Sequence, residues 1–211
     1  MKITKYLHSC LLLEENNTSI LIDPGIFTYN ENVLNLANIT KLDYLLITHS
    51  HSDHFHMPFV KEIMIKFPNV QIITNPDVAS LLGNEHIIAK TTGNEFINLA
   101  AVQHEKIFFG EVPQNTLFTV FDELIHPGDS LSFQESATIF ALPIQAPWGS
   151  TTWAVETAIK LKPQVIIPIH DYQWKDEVRI AMYDRLEEYF KEVGIEFKKP
   201  ETGIPLEIQA R

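Results

Sequence analysis

Residues 48–54 constrain this chain more than any other segment, because three histidines and one aspartate occupy six consecutive positions, 49 to 54. The segment directly follows a mainly apolar run, residues 42–47, in which Tyr44–Ile47 has the length and composition of a fully buried strand. Polar surface loops are usually built from Gly, Ser, Asn and Asp rather than from imidazoles. The segment is therefore predicted to be a metal-binding loop at the end of a strand.

The spacing within this loop divides its ligands into two pairs. His49 and His51 are two residues apart, so in extended backbone both imidazoles project the same way and can face one ion. Asp53 and His54 lie further along the loop and are assigned to a second ion beside the first. Neutral imidazoles and a carboxylate suit zinc, and also suit iron or manganese. Two divalent cations, with zinc preferred, are thus the predicted cofactors.

The rest of the chain alternates between strand and helix patterns. Apolar runs at residues 10–13 and 20–22 flank a polar stretch and predict a hairpin, which ends at Asp23 before a Pro-Gly break. Further strands are predicted at residues 71–74, 95–104, 117–121, 131–133, 138–142 and 165–169. Helices are predicted at residues 58–67, 76–82 (capped by Asn75), 151–161 and 176–193. This pattern predicts one α/β domain over residues 1–211, a sandwich with helices on both outer faces.

Composition narrows the functional classes. A formal net charge of −11 disfavours nucleic acid as a partner, since a polyanion is repelled. Cys10 is the sole cysteine, which excludes an intrachain disulfide and favours a reducing cytoplasm. No run approaches the roughly 18 apolar residues of a membrane span. A small-molecule substrate is the expected partner, and a homo-oligomer is possible.

Three later residues continue the pattern of a ligand-type side chain after an apolar strand. His104 follows residues 100–103, Asp129 ends the segment 125–129, and His170 follows Val165–Ile169. Strand ends on one rim of a sheet converge, so these side chains can meet the first loop. Taken singly, Gly-Asp after Pro is usually a turn, and a histidine after a strand is common.

Together these residues resemble the metallo-β-lactamase superfamily. Its His-x-His-x-Asp-His signature is matched by residues 49–54, followed by a His, a Gly-Asp and a final His in that order across nearly the whole chain. Segments 21–24, 126–130, 141–144 and 167–170 look most like the branch of ascorbate 6-phosphate lactonase-like proteins. The resemblance implies a four-layer αββα sandwich with mixed sheets.

The resemblance also implies a role for each ligand. His49, His51 and His104 would hold the first metal ion, and Asp53, His54 and His170 the second. Asp129 would bridge the two ions, and Asp53 would also act catalytically by accepting a proton from water or orienting it. Asp23 would orient an imidazole from behind, or else cap the turn before Pro24.

Four residues are candidates for the substrate pocket, each with an alternative or an open role. His8 lacks the Gly that often precedes this His-Ser pair in related sequences, so core packing is the favoured role. His126 is either a substrate or proton-transfer group or a partner for backbone. Trp148 and Tyr172 lie in segments, 145–150 and 171–174, that would border the same rim.

The favoured function is a dinuclear metal-dependent hydrolase, in which a metal-bridging hydroxide attacks a small ester, lactone or phosphoester. One alternative is a diiron redox protein of the same fold, although neither a flavin domain nor an extra acidic ligand is evident. Another is a non-catalytic binding protein with a structural metal. A set of seven ligands argues against it, because structural sites are usually closed by four.

Overall fold

The computed structural model describes residues 1–209, in which two β-sheets carry helices on their outer faces. The strands are β1 (Lys2–Lys5), β2 (Leu11–Glu15), β3 (Thr18–Ile22), β4 (Tyr44–Ile47), β5 (Gln71–Thr74), β6 (Ala89–Lys90), β7 (Ile97–Val102), β8 (Asn115–Val120), β9 (Leu124–His126), β10 (Ile139–Pro143), β11 (Val165–Ile169), β12 (Glu196–Phe197) and β13 (Pro205–Glu207). The α-helices are α1 (Ile26–Asn30), α2 (Met57–Lys66), α3 (Pro76–Asn84), α4 (Thr151–Leu161) and α5 (Asp176–Glu192), with a 3₁₀ turn at Leu36–Asn38.

Both sheets are mixed. The first has the order β13-β1-β2-β3-β4-β5-β6 and is parallel from β3 to β6. The second has the order β12-β11-β10-β9-β8-β7 and is parallel from β9 to β12. Parallel strands end at the same edge of a sheet, so the loops that follow them are brought together.

Strand alternation explains how the two sheets pack. In β2, Leu11 and Leu13 point into the core between the sheets, whereas Leu12 points to the outer face. In β11, Ile167 belongs to the same inner core and Ile166 to the opposite outer face. The inner core therefore contains residues of both sheets and excludes the helices.

The helices form the two outer layers. Phe59 and Ile63 of α2 cover the first sheet together with Leu82 of α3. Ala154 of α4 and Phe190 of α5 cover the second. The predicted four-layer αββα sandwich is thereby confirmed, and each outer helix buries one apolar stripe.

Most predicted elements are confirmed with shifts of a few residues. The hairpin forms as β2 and β3, which turn through Asn16 and Asn17 with φ of 47° and 60°, the left-handed conformation that two-residue hairpins need. Asn75 caps α3 by accepting a hydrogen bond from the Val78 amide at 3.0 Å.

One predicted strand is wrong. Residues 131–133 form no ladder; instead the Leu131 amide donates to Glu105 Oε1 at 2.9 Å, and the Leu131 and Phe133 side chains fill the outer core. The strand between β8 and β10 is instead β9, Leu124–His126, which pairs with both of them. Two alternating apolar residues satisfied the strand pattern although their backbone is a loop.

Within residues 1–209, no helix is both long and apolar enough to cross a membrane.

Candidate metal centre

The ligand-type residues all lie just beyond the carboxyl ends of strands. Asp23 follows β3, and the loop with His49 follows β4. His104, Asp129 and His170 follow β7, β9 and β11 of the second sheet. Both sheets therefore contribute to one cluster at a single edge of the sandwich, as the sequence predicted for strand ends.

Asp23 fixes the start of the metal-binding loop. Its Oδ1 accepts a hydrogen bond from the Thr48 amide at 2.8 Å, and its Oδ2 accepts one from Thr48 Oγ1 at 2.8 Å. Oδ2 also lies 2.6 Å from His54 Nδ1. A carboxylate accepts this contact, so Nδ1 is the donor and Nε2 of His54 is the ring nitrogen that faces the other candidate ligands.

The structure brings the candidate ligands together in two groups, in each of which the ligand atoms lie within 4.8 Å of one another. Group 1 consists of His49, His51, His104 and Asp129. Group 2 consists of His8, Asp53, His54 and His170. His49 and His51 fall in one group and Asp53 and His54 in the other, as their spacing predicts. His8 is an additional member of group 2.

Asp129 lies between the groups and presents one oxygen to each. Its Oδ1 is 2.7 Å from His170 Nε2 and 3.0 Å from His54 Nε2. Its Oδ2 is 3.4 Å from His104 Nε2 and 3.9 Å from His49 Nε2. This is the arrangement that a carboxylate bridging two cations requires.

The nitrogen and oxygen atoms of the candidate ligands are spaced as they would be around bound cations, and some of them lack hydrogen-bond partners. His49 Nε2 and Asp129 Oδ1 are buried without a hydrogen-bond partner of good geometry. His104 Nε2 and His51 Nδ1 are 3.2 Å apart, and His54 Nε2 and His170 Nε2 are 3.0 Å apart. Nitrogen ligands about 2 Å from one zinc ion lie at about such separations from each other. Each group can therefore hold a divalent cation.

The electrostatics of the centre also suit cations. Burial lowers the pKa of His49 well below its usual value, and the nearby His54 lowers it further. Burial alone would raise the pKa of Asp129, but His170 and His54 hold it well below its ordinary range. Asp129 is thus ionised and His49 neutral at physiological pH, the forms in which both bind metal.

Group 1 has supporting residues that sequence reasoning missed. The Glu105 carbonyl accepts a hydrogen bond from His104 Nδ1 at 2.7 Å, which leaves Nε2 of His104 facing the group. Asn115 Oδ1 accepts a hydrogen bond from the Asp129 amide at 3.2 Å. Nothing in the local sequence marked these residues, because Glu105 acts through a main-chain carbonyl that every residue has, and Asn115 lies 14 positions from Asp129.

Three of the four pocket candidates have different surroundings, and the fourth, His8, lies in group 2. The Trp148 indole donates to Asp129 Oδ2 at 2.8 Å, so this residue borders the centre. Tyr172, two residues after His170, stacks on Phe27 with ring centroids 4.1 Å apart, and Phe27 in turn contacts His8 of group 2 with centroids 5.2 Å apart. His126 is fully buried: its Nε2 donates to the Ser9 carbonyl, and its Nδ1 accepts from the Gly128 amide. It is therefore a partner for backbone, the second of its two predicted roles.

Gly25 sets the distance between α1 and the metal-binding loop, and its substitution is predicted to deform the centre. A Cβ at this position would lie 1.8 Å from the Asp53 carbonyl oxygen, so Gly25→Ala must displace the backbone of Asp53. We expect a loss of about 1–3 kcal/mol in the free energy of unfolding, the typical range for overpacking, measured by urea denaturation. Gly83→Ala in α3 is the control, because its Cβ would meet no atom within 4 Å. Equal stability of the two variants would contradict the prediction.

The family model described as the beta-lactamase superfamily domain matches residues 2–170. The chain belongs to that superfamily. Its two-sheet fold and His-x-His-x-Asp-His loop are those of the metallo-β-lactamase superfamily.

Individual relatives cover most of the chain. It is 31% identical over 203 residues to Protein Rv0786c of Mycobacterium tuberculosis, covering 89% of this chain and 92% of the relative. It is 26% identical to a UPF0173 metal-dependent hydrolase of Nanoarchaeum equitans, covering 82% and 85%. The solved structure of Igni18, a metallo hydrolase from Ignicoccus hospitalis, superposes with a TM-score of 0.73 at 21% identity and 99% coverage of both chains, which shows a shared fold.

Proposed function

We propose that this protein is a metal-dependent hydrolase of a small ester, lactone or phosphoester, with one divalent cation in each ligand group and zinc preferred. The observation that carries the proposal is the position of Asp129, whose two oxygens face the two groups. A structural metal site is normally closed by four ligands and needs no second ion beside it. The similarity to UPF0173 metal-dependent hydrolases supports the same reaction class.

The residues around the proposed cations have separate tasks. When bound, two such cations would supply a hydroxide nucleophile near neutral pH and would polarise a carbonyl or phosphoryl oxygen. The Asp53 side chain is 26% exposed, whereas that of Asp129 is 4% exposed, so Asp53 is the carboxylate that can exchange a proton with solvent. Trp148, held by Asp129, limits the space beside the centre.

The aromatic side chains beside the centre suit a small substrate with an apolar or sugar-like part. Trp148 lies on one side, with its ring 5.6 Å from that of His170. Tyr172 and Phe27 are stacked together and form a second aromatic surface; the Tyr172 hydroxyl donates to Glu31 at 3.0 Å. Aromatic walls around a few polar groups are typical of small-molecule sites. A cytoplasmic location is part of the proposal, because the sole cysteine is free and buried.

Metal analysis combined with a substrate panel tests this function. The protein is stripped with a chelator, reconstituted separately with Zn²⁺, Mn²⁺ and Fe²⁺, and assayed for metal content by mass spectrometry. Turnover is measured on p-nitrophenyl carboxyl esters, p-nitrophenyl phosphates, and simple and sugar lactones. We expect two cations per chain and one substrate class whose hydrolysis disappears on chelation and returns on reconstitution. Fewer than two cations, or no turnover of any class in any metal form, would contradict the proposal.

A further inference from the structure

The sequence favoured core packing for His8, but its surroundings are those of group 2. The side chain is buried, and its Nε2 lies 3.1 Å from Asp53 Oδ2. Its ring centroid is 3.9 Å from that of His170 and 5.7 Å from that of His54. Every residue of group 2 is thus a direct neighbour of His8.

The hydrogen bonds of His8 are not those of an ordinary core histidine. Buried side-chain nitrogens are nearly always paired, as both nitrogens of His126 are. In His8, Nδ1 is buried without a hydrogen-bond partner, and Nε2 contacts only the carboxylate of a candidate metal ligand. The ring is therefore placed toward the centre rather than toward main-chain groups.

The backbone of His8 is held in an uncommon conformation that fixes this placement. Its φ is 59°, in the left-handed region that non-glycine residues seldom adopt. The turn is closed by a hydrogen bond from the Cys10 amide to the Leu7 carbonyl at 3.1 Å. The His8 carbonyl also accepts a hydrogen bond from the amide of His170, which has a φ of 65°. Strain of this kind persists where the surrounding structure determines it, and such positions cluster at functional sites.

We propose that His8 is a direct ligand of the group 2 cation, bound through one ring nitrogen. This inference rests on the proposed two-cation function and deepens it. Group 2 then offers His8, Asp53, His54 and His170 together with the shared Asp129, whereas group 1 offers three histidines and Asp129. The two positions are unequal: group 2 binds its cation more tightly, and group 1 keeps more coordination positions for substrate.

Cation binding by two His8 variants tests the inference without any substrate. His8→Asn retains a residue that tolerates the left-handed conformation but is too short to reach the cation. His8→Gln can still donate a hydrogen bond to Asp53 while lacking an imidazole. Zn²⁺ binding to the metal-free proteins is measured by competition with a chromophoric chelator. We expect wild type to show two distinguishable affinities and both variants to lose at least 100-fold in the tighter one. The exposed His86, substituted as His86→Ala, is the control and should change neither.

Direct detection of the bond completes the test. In protein labelled with ¹⁵N-histidine and loaded with ¹¹³Cd²⁺, we expect one-bond ¹¹³Cd–¹⁵N coupling to a His8 ring nitrogen, assigned by its loss in His8→Asn. Absence of this coupling, or near-wild-type affinity in His8→Gln, would overturn the inference and leave His8 as a hydrogen-bond partner of Asp53. Metal-free melting temperatures show whether each variant folds. Failure of wild type to bind two cations would instead contradict the proposed function, so the two failures are distinguishable.

Discussion

Asp129→Asn is expected to release both cations from the centre and to abolish hydrolysis. The substitution keeps the shape of the side chain but removes the negative charge that faces both groups. Even a residue that only orients a metal ligand costs about 10–100-fold in affinity when changed, so losing the shared carboxylate should cost on the order of 100-fold or more for each cation. Metal content after gel filtration and Zn²⁺ competition titration measure this effect.

The structure explains why Asp129 matters to both positions. Burial would keep this carboxyl protonated, but the surrounding histidines hold its pKa well below the usual range. Asparagine would also present an amide nitrogen to His104 or to His170, a donor where a metal ligand must be an acceptor. Asp122→Asn, at an exposed position, is the control. Retention of two tightly bound cations by Asp129→Asn would contradict the bridging role.

Lys5→Met is expected to destabilise the fold by about 3–5 kcal/mol, the range for breaking a buried ion pair from one side. Lys5 Nζ lies 2.8 Å and 3.0 Å from the two oxygens of Asp171, and both side chains are buried. The Tyr183 hydroxyl also donates to Asp171. Burial acts to raise the pKa of Asp171, but Lys5 and Tyr183 lower it below its ordinary value. Without Lys5, an ionised carboxylate remains in the interior with one donor.

Urea denaturation of the metal-free protein measures this change in the free energy of unfolding. Lys2→Met is a matched control on the same strand, because the Lys2–Glu14 pair is about one-third exposed on each side and should contribute less than about 1 kcal/mol. The double variant Lys5→Met, Asp171→Asn should recover part of the loss by removing the unpaired charge. Equal effects of Lys5→Met and Lys2→Met would show that the buried pair has no special role.

The sequence predicted those parts of the molecule whose signals are local. Tyr44–Ile47 and Val165–Ile169 are apolar runs of strand length, and both were predicted with their observed bounds. Residues 49–54 were predicted to bind metal because imidazoles are uncommon in ordinary polar loops, whereas His104, Asp129 and His170 are each ambiguous alone and were assigned as ligands through the family resemblance. Their grouping around Asp129 followed from family resemblance, and the structure supplies the distances.

The remaining features depend on contacts between distant segments. β1 and β13 pair across almost the whole chain, with Ile3 opposite Leu206, and neither segment has a strong strand pattern of its own. Lys5 reads as a surface residue near the amino terminus, yet its partner lies 166 positions away. His8 joins group 2 because its backbone is left-handed. No glycine at this position signals that conformation in the sequence.

The division of ligands between the sheets makes the centre a cross-link between two halves of the fold. His8 and residues 49–54 come from the first sheet, while His104, Asp129 and His170 come from the second. A cation that binds only when the two sheets are packed together stabilises that packing. The stabilisation is about 4 kcal/mol when the free cation concentration is a thousand times its dissociation constant. If the proposed cations bind, the supply of metal in the surroundings would thus set how often the two layers separate.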